Sequence, residues 1–383
     1  MSEYQYYEFI AIDRPLTKAE MAELRAVSTR ANITPTRFTN HYEWGHLKAN
    51  PASWMQLYFD AFVYLANWLT CQLSLRFPKA AFAKSQLQPF VHSTLSIKAS
   101  GQYWVVDWVL EEGQDDARFS KDDGEGWMQR LLPLRDELLR GDLRALYLGW
   151  LADAPSLPDK TPEPPLPAGL AELSPAQQAL AEFLEIDPDW LDAASQGNPA
   201  IAATTDDDTI TAWLATWSSA RMHTILKRIA SGHGQEAERK VMTDYAAWLK
   251  TQRPSSRSDA PARTIAQLRQ QAKAAASRRQ KREAQARARQ EAERQRKREA
   301  ELRKLMLRPD LFWKQAQAQV ERSCASGYDH AVRLLIDLAE GHALLSKKNE
   351  FEQKLQQFLA PYGKRSAFMR RLEDARLGLV AKA

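Results

Sequence analysis

Seven cations, Arg278, Arg279, Lys281, Arg282, Arg289, Arg296 and Arg303, are the residues whose type and spacing point most directly to a chemistry. Four of them, Arg282, Arg289, Arg296 and Arg303, recur every seven residues. On a helix this spacing sets guanidiniums about 10.5 Å apart along a stripe that drifts slowly around the axis. Arginine binds phosphate by planar geometry as well as by charge, so the stripe suits a polyanion such as nucleic acid. No aromatic residue lies between Arg263 and Leu311, which rules out base stacking there. Binding along this run would be to the backbone and blind to sequence. The same run also fits a solvated spacer, or a cationic face for an acidic protein surface.

The remaining candidates are weaker. His41, Glu43 and His46 in HYEWGH resemble a zinc-protease pattern, but the imidazoles are five apart with Gly45 between them at an expected strand end. The i, i+4 spacing that puts two ligands on one helix face is missing, so they read as ordinary polar residues. Asp206 to Asp208 could face a divalent cation, yet acids before a helix are expected from its dipole alone. Ser231-Gly232-His233-Gly234 lacks the spacing and the preceding strand of a phosphate loop and reads as a helix-helix turn. There is no GxSxG, no GxGxxG and no Cys-His pairing by motif, so no catalytic residue, metal or cofactor is assigned. Two carboxylates that meet only in the fold keep an enzyme reading open.

The element that must carry the stripe is the run 263–308, with sixteen Lys and Arg against five Glu, a net of +11 in a chain of net +5. Residues 1–262 carry −9 and residues 309–383 carry +3. The run has no Pro or Gly and consists mostly of strong helix formers, so it predicts one helix of roughly 69 Å. Between Leu268 and Leu302 nothing apolar is larger than alanine, which excludes a long coiled coil. Support must come from pairs such as Glu283 with Arg287, Glu293 with Lys297 and Glu299 with Arg303.

Around this arm the chain of 383 residues divides by composition. Residues 1–153 predict an α+β domain: strands at 4–12, 36–44, 73–77, 93–98 and 103–110 in a mostly antiparallel sheet, with helices on one face. Thr17 and Glu20 form a capping box for a helix over 18–28, and Asn50-Pro51 opens a second that carries Trp54, Tyr58, Phe59 and Phe62. An acidic loop contains Asp115, Asp116, Asp122 and Asp123, and short helices follow over 127–139 and 143–151. Seven of the twelve Trp precede residue 151 and are expected in the core. Residues 154–168 are a proline-rich linker, 169–250 a helical domain and 251–262 a polar linker. The arm over 263–308 leads to a C-terminal helical module over 309–383 with helices at 311–320, 328–345, 350–359 and 366–377, punctuated by Gly327 and Gly341. The fold class is thus an α+β domain followed by all-α regions and a long basic helix.

A hydrophobic content of 44% with twelve Trp argues against a disordered chain, although the mean hydropathy of −0.52 marks a polar portion. Cys71 and Cys324 form neither a disulfide framework nor a zinc pattern, and no leader or membrane span is indicated; a cytoplasmic protein with no membrane partner is expected.

Tyr4-Gln5-Tyr6-Tyr7-Glu8-Phe9 through Ile12-Asp13-Arg14-Pro15-Leu16-Thr17, Ile33-Thr34-Pro35-Thr36 to Trp44-Gly45, and Leu146-Tyr147-Leu148-Gly149-Trp150 resemble a family of uncharacterised bacterial proteins. That resemblance covers the whole chain and implies no activity. The tail from Tyr328-Asp329-His330-Ala331-Val332 to Leu377 is similar to the helical tail of bacterial SWIM-type zinc-finger proteins. The zinc ligands of that family are missing here, so what the resemblance implies is a docking module alone.

Three readings follow. The first is a non-enzymatic interaction or scaffold protein with protein partners at its folded ends and nucleic-acid backbone on the arm. In the second, a protein-only adaptor, the arm is a solvated strut. The third is an enzyme with an unrecognised site in the N-terminal domain.

Overall fold

A computed structural model describes residues 3–111, 124–198, 206–232, 234–252, 262–375 and 377. The chain forms two compact units, Met1–Arg279 and Gln280–Ala383.

The first unit is built on a seven-stranded antiparallel sheet, β1 (Tyr4–Ile10), β2 (Asn32–Ile33), β3 (Arg37–Glu43), β4 (Ala61–Ala66), β5 (Thr70–Pro78), β6 (Leu95–Ser100) and β7 (Tyr103–Leu110), in the order β2-β3-β1-β4-β5-β7-β6. The expected α+β class is the observed one. The expectation of helices on one face is not: both faces are covered. Alternation along the strands sends Tyr6, Val63, Leu65, Leu73, Leu75 and Trp108 into one core and Tyr7, Phe9, Phe38 and Phe62 into another. The second core is closed by α1 (Lys18–Val27) and α2 (Pro51–Leu57), whose Leu24, Trp54 and Met55 are buried there. The helix expected to carry Trp54 through Phe62 stops at Leu57, because the β-branched and aromatic run AFVYLA is β4.

The first core lies under α3 (Trp127–Leu131), α4 (Leu134–Leu139) and α5 (Arg144–Asp153). Gly149 on α5 lets the Trp108 indole approach; a Cβ there would meet its ring at 2.8 Å, and Trp108 Nε1 donates to Ala145 O at 3.0 Å. Gly124 is similarly required, since it has φ 90 and faces the Tyr6 ring. The acidic-loop residues Asp115, Asp116, Asp122 and Asp123 lie outside the described residues.

The proline-rich stretch does not separate one core from another. α6 (Pro175–Phe183) and α7 (Pro188–Ser195) contribute Leu180, Phe183, Trp190 and Ala193 to the same core as the sheet, and Leu157 and Leu170 bridge to it. Proline favours an extended backbone, and the segment runs along that core with Leu157, Leu166 and Leu170 packed on it. A third, smaller and mostly aromatic cluster holds α8 (Asp206–Leu214), α9 (Ser219–Ala230) and α10 (Gly234–Gln252) through Trp213, Trp217, Ile225 and Tyr245. Arg221 lies 4.3 Å from the Trp217 ring and pairs with Asp244 at 2.7 Å.

The basic run is the single helix α11 (Ile265–Leu305). Beyond it the second unit packs α12 (Pro309–Glu321), α13 (Ala325–Leu344), α14 (Lys348–Leu359) and α15 (Ser366–Asp374) around Trp313, Leu335, Leu338, Leu355 and Phe368. Gly327 and Gly341, expected as punctuation, both lie inside α13. They are close-approach points: a Cβ at Gly327 would meet Gln319 O at 2.6 Å and one at Gly341 the Met306 side chain at 2.8 Å.

Candidate nucleic-acid interface

The arm begins from a buried anchor. Arg263 donates to both carboxylate oxygens of Glu163, at 2.7 and 2.8 Å, and to the carbonyls of Ala193 and Ala194. Tyr147 donates its hydroxyl to the same carboxylate at 2.5 Å, and burial followed by the Glu163 charge pushes that phenol well up. Pro162 bridges Thr264, and the amides of Ile265 and Ala266 donate to Thr161 O and Asp159 O at 3.0 Å. The first-turn amides of a helix have no partner within it, and the proline-rich stretch supplies acceptors for two of them. Thr264 and Gln267 add a reciprocal cap, with Thr264 N donating to Gln267 Oε1 at 2.9 Å.

Past the cap, Ile265, Leu268, Ala272 and Ala275 are buried in the first unit, the first three of them in the sheet core, so the first turns of the arm are a core helix. Arg269 pairs with Asp159 and donates to Leu157 O at 3.0 Å. Two of the seven nominated cations follow. Arg278 pairs with Asp192 at 2.7 Å, and Arg279 forks Asp189 at 3.0 and 2.8 Å. The Arg279 hydrogen bonds hold the Asp189 carboxyl below the usual carboxylate range.

From residue 277 to residue 297 every side chain of α11 is exposed. Lys281, Arg282, Arg289 and Arg296 all lie in this stretch and have no ion-pair partner among the described residues. Of the expected intrahelical pairs, Glu293 with Lys297 closes at 2.7 Å and Glu299 with Arg303 at 3.6 Å. Arg303, the last of the stripe, is therefore loosely held from its own helix. Arg298, which the heptad stripe passed over, is the residue most engaged at this end. It donates to Asp337 at 2.5 Å and Glu340 at 2.9 Å on α13, and those bonds raise its affinity for the proton still further. Leu302 and Leu305 then return the helix to a core, that of the second unit.

The other candidates stay apart. His41 is stacked on Tyr4 with centroids 6.0 Å apart, Glu43 ends β3, and His46 sits in the turn beyond. Among the described residues no group of three or more His, Cys, Asp or Glu is placed to hold a metal ion. Asp206 to Asp208 open α8, as helix-starting acids do. Ser231 caps α9 and Gly232 turns the chain at φ 84, while His233 lies outside the described residues. Cys71 donates to Phe183 O at 3.1 Å inside the core and Cys324 precedes α13; neither is in a disulfide. No described helix is long and apolar enough to cross a membrane. No protein-family model, curated protein or solved structure matches the chain.

What this arrangement can do chemically is bind anions by charge and by guanidinium geometry. Lys281, Arg282, Arg289 and Arg296 carry that capacity along one stripe, and Arg287 and Arg294 are exposed in the same stretch, whereas Arg278, Arg279 and Arg298 already have carboxylates of their own chain.

Proposed function

We propose that this chain is a non-enzymatic, multidomain interaction protein whose arm engages the backbone of nucleic acid without sequence preference. The observation that carries this reading is the exposed, unpartnered set Lys281, Arg282, Arg289 and Arg296 on a helix with no aromatic side chain along it. Cations without carboxylate partners are those whose binding to phosphate costs no lost ion pair. Protein partners dock on the folded units in this reading, with the C-terminal helices as one module. The cytoplasm is the place of action, where thiols such as Cys71 and Cys324 stay reduced.

A second reading has its own observation. Both ends of α11 are built into cores, and Arg278, Arg279 and Arg298 are taken by acids of the same chain, as a solvated strut of a protein-only adaptor requires.

Binding of full-length protein to a random-sequence duplex and a single strand across a salt series separates the two. An arm neutralising about four phosphates gives a log–log salt slope near −3.6 on duplex DNA. Replacing Lys281, Arg282, Arg289 and Arg296 by alanine keeps the helix and removes most of that slope. Absence of binding at low salt, or binding unchanged in the variant, removes the nucleic-acid reading and leaves the strut.

A further inference from the structure

Of the seven tryptophans expected in the N-terminal core, two are not there: Trp44 is 71% exposed and Trp68 is 45% exposed. They leave the sheet at the same end. β3 and β4 both pair with β1, Tyr4 lies opposite Glu43, and Asn67 N donates to Tyr4 O at 3.0 Å. Trp44 and Trp68 thus lie in the turns that follow β3 and β4, the two strands beside β1, whose axes are about 9.6 Å apart.

Both turns are tied down by hydrogen bonds. Trp44 N donates to Glu3 O at 3.1 Å, Gln5 Nε2 donates to Gly45 O at 2.5 Å, and Leu47 is buried just beyond. On the other side Tyr4 N donates to Asn67 Oδ1 at 3.0 Å and Leu69 N to Ala66 O at 3.0 Å. Trp44 has φ 65 and Leu69 has φ 69, a left-handed backbone that bulky side chains rarely adopt. Two strained turns that present indoles to water are unfavourable for the fold alone and suit preorganised anchors for a partner. The charge beside them is negative: Glu3 and Glu43 are exposed without an ion-pair partner among the described residues, and Lys48 is the cation of these turns. A phosphate backbone is disfavoured there, and a rigid apolar ligand with a positive charge is favoured.

We infer that this end of the sheet binds an extended proline-rich segment of a partner protein that carries Lys or Arg beside its prolines. Polyproline segments dock on exposed aromatic surfaces, and prolines in a Pro-x-x-Pro segment stand about 9.3 Å apart, a span of the same order as the separation of β3 and β4. One proline would rest on each indole, and the cation would meet Glu3 or Glu43. This inference is independent of the arm and of its nucleic-acid reading.

The test is fluorescence anisotropy of a labelled dodecapeptide with two Pro-x-x-Pro repeats and flanking arginines, titrated with the full-length protein. Three controls run beside it: the same peptide with alanine for proline, a single-stranded oligonucleotide and a neutral oligosaccharide. Saturable binding is expected, weakened at least tenfold by Trp44→Ala and by Trp68→Ala and about threefold by Glu43→Gln, with unchanged thermal midpoints. Equal binding of the proline-free peptide, no saturation by the proline peptide, indifference to both Trp variants, or Trp-dependent binding of an oligonucleotide or sugar in its place would overturn the inference.

Discussion

Arg263 and Glu163 share two hydrogen bonds, of 2.7 and 2.8 Å, across a hundred residues of chain. The carboxylate is nearly buried, and it also accepts from Tyr147, so its removal strands a guanidinium and a phenol together. Breaking one partner of such a pair typically costs about 3 kcal/mol, most of it the uncompensated charge left behind. Glu163→Ala is therefore expected to lower the stability of the first unit by about this amount in urea unfolding. Arg263→Ala should cost about as much, and the double variant should cost less than the two single effects added together.

A pH effect resides in the first capping box. Arg14 donates to Glu20 at 2.6 and 2.8 Å and Thr17 N donates to it at 2.8 Å. The Arg14 bonds first, and those of Thr17 after them, hold the Glu20 carboxyl down to about 2 from an ordinary 4.5. A depressed carboxyl stabilises the fold above its unfolded value and loses that contribution as pH falls through its folded value. Glu20→Gln should thus lower stability by about 1 kcal/mol at pH 7. The gap between the thermal midpoints of the parent and variant should narrow as pH falls from about 4.5 and close below about 2; a gap at pH 2 as wide as that at pH 7 would contradict the assignment.

Two glycines of α13 should respond differently to the same change. The Cβ of Gly327→Ala meets a main-chain oxygen of α12, which cannot yield, whereas that of Gly341→Ala meets the flexible end of Met306. Alanine gains about 1 kcal/mol over glycine inside a helix, against overpacking that costs about 1–3 kcal/mol. Gly341→Ala is expected to stay within about 1 kcal/mol of the parent and Gly327→Ala to be the more destabilising, read from denaturant midpoints.

Much of this architecture was legible because local patterns agreed with it. The capping box at Thr17, the Asn50-Pro51 start, the strands expected at 93–98 and 103–110 and the four C-terminal helices are written in residues that act on their own neighbours. β4 was missed because Trp54, Phe59 and Phe62 fit a helical spacing while in fact converging on one core from a helix, a turn and a strand. Gly327 and Gly341 were misjudged because what they approach lies outside their own helix. The proline-rich stretch reads as a linker by composition; its role as the seat of the arm depends on Glu163, which nothing local marks. For the arm, the sequence displayed charge and period. Which cations are spent depends on Asp189, Asp192, Asp337 and Glu340, and these come from helices whose placement no spacing rule supplies.

That division of the cations has a measurable consequence. Arg298 holds two carboxylates of α13, while Arg289, nine residues earlier, has no ion-pair partner among the described residues. Arg298→Ala should destabilise the second unit by about 1 kcal/mol, and Arg289→Ala should leave stability within about 0.5 kcal/mol of the parent. For nucleic-acid binding the order reverses: Arg289→Ala should reduce the magnitude of the duplex salt slope by about 0.9, and Arg298→Ala by less. Amide exchange provides the structural control. A helix supported by no core opens cheaply, so amides over 281–296 should exchange faster than those over 268–275, where Leu268, Ala272 and Ala275 are buried. If nucleic acid binds along the exposed stripe, the protection of 281–296 should rise while that of 268–275 stays fixed.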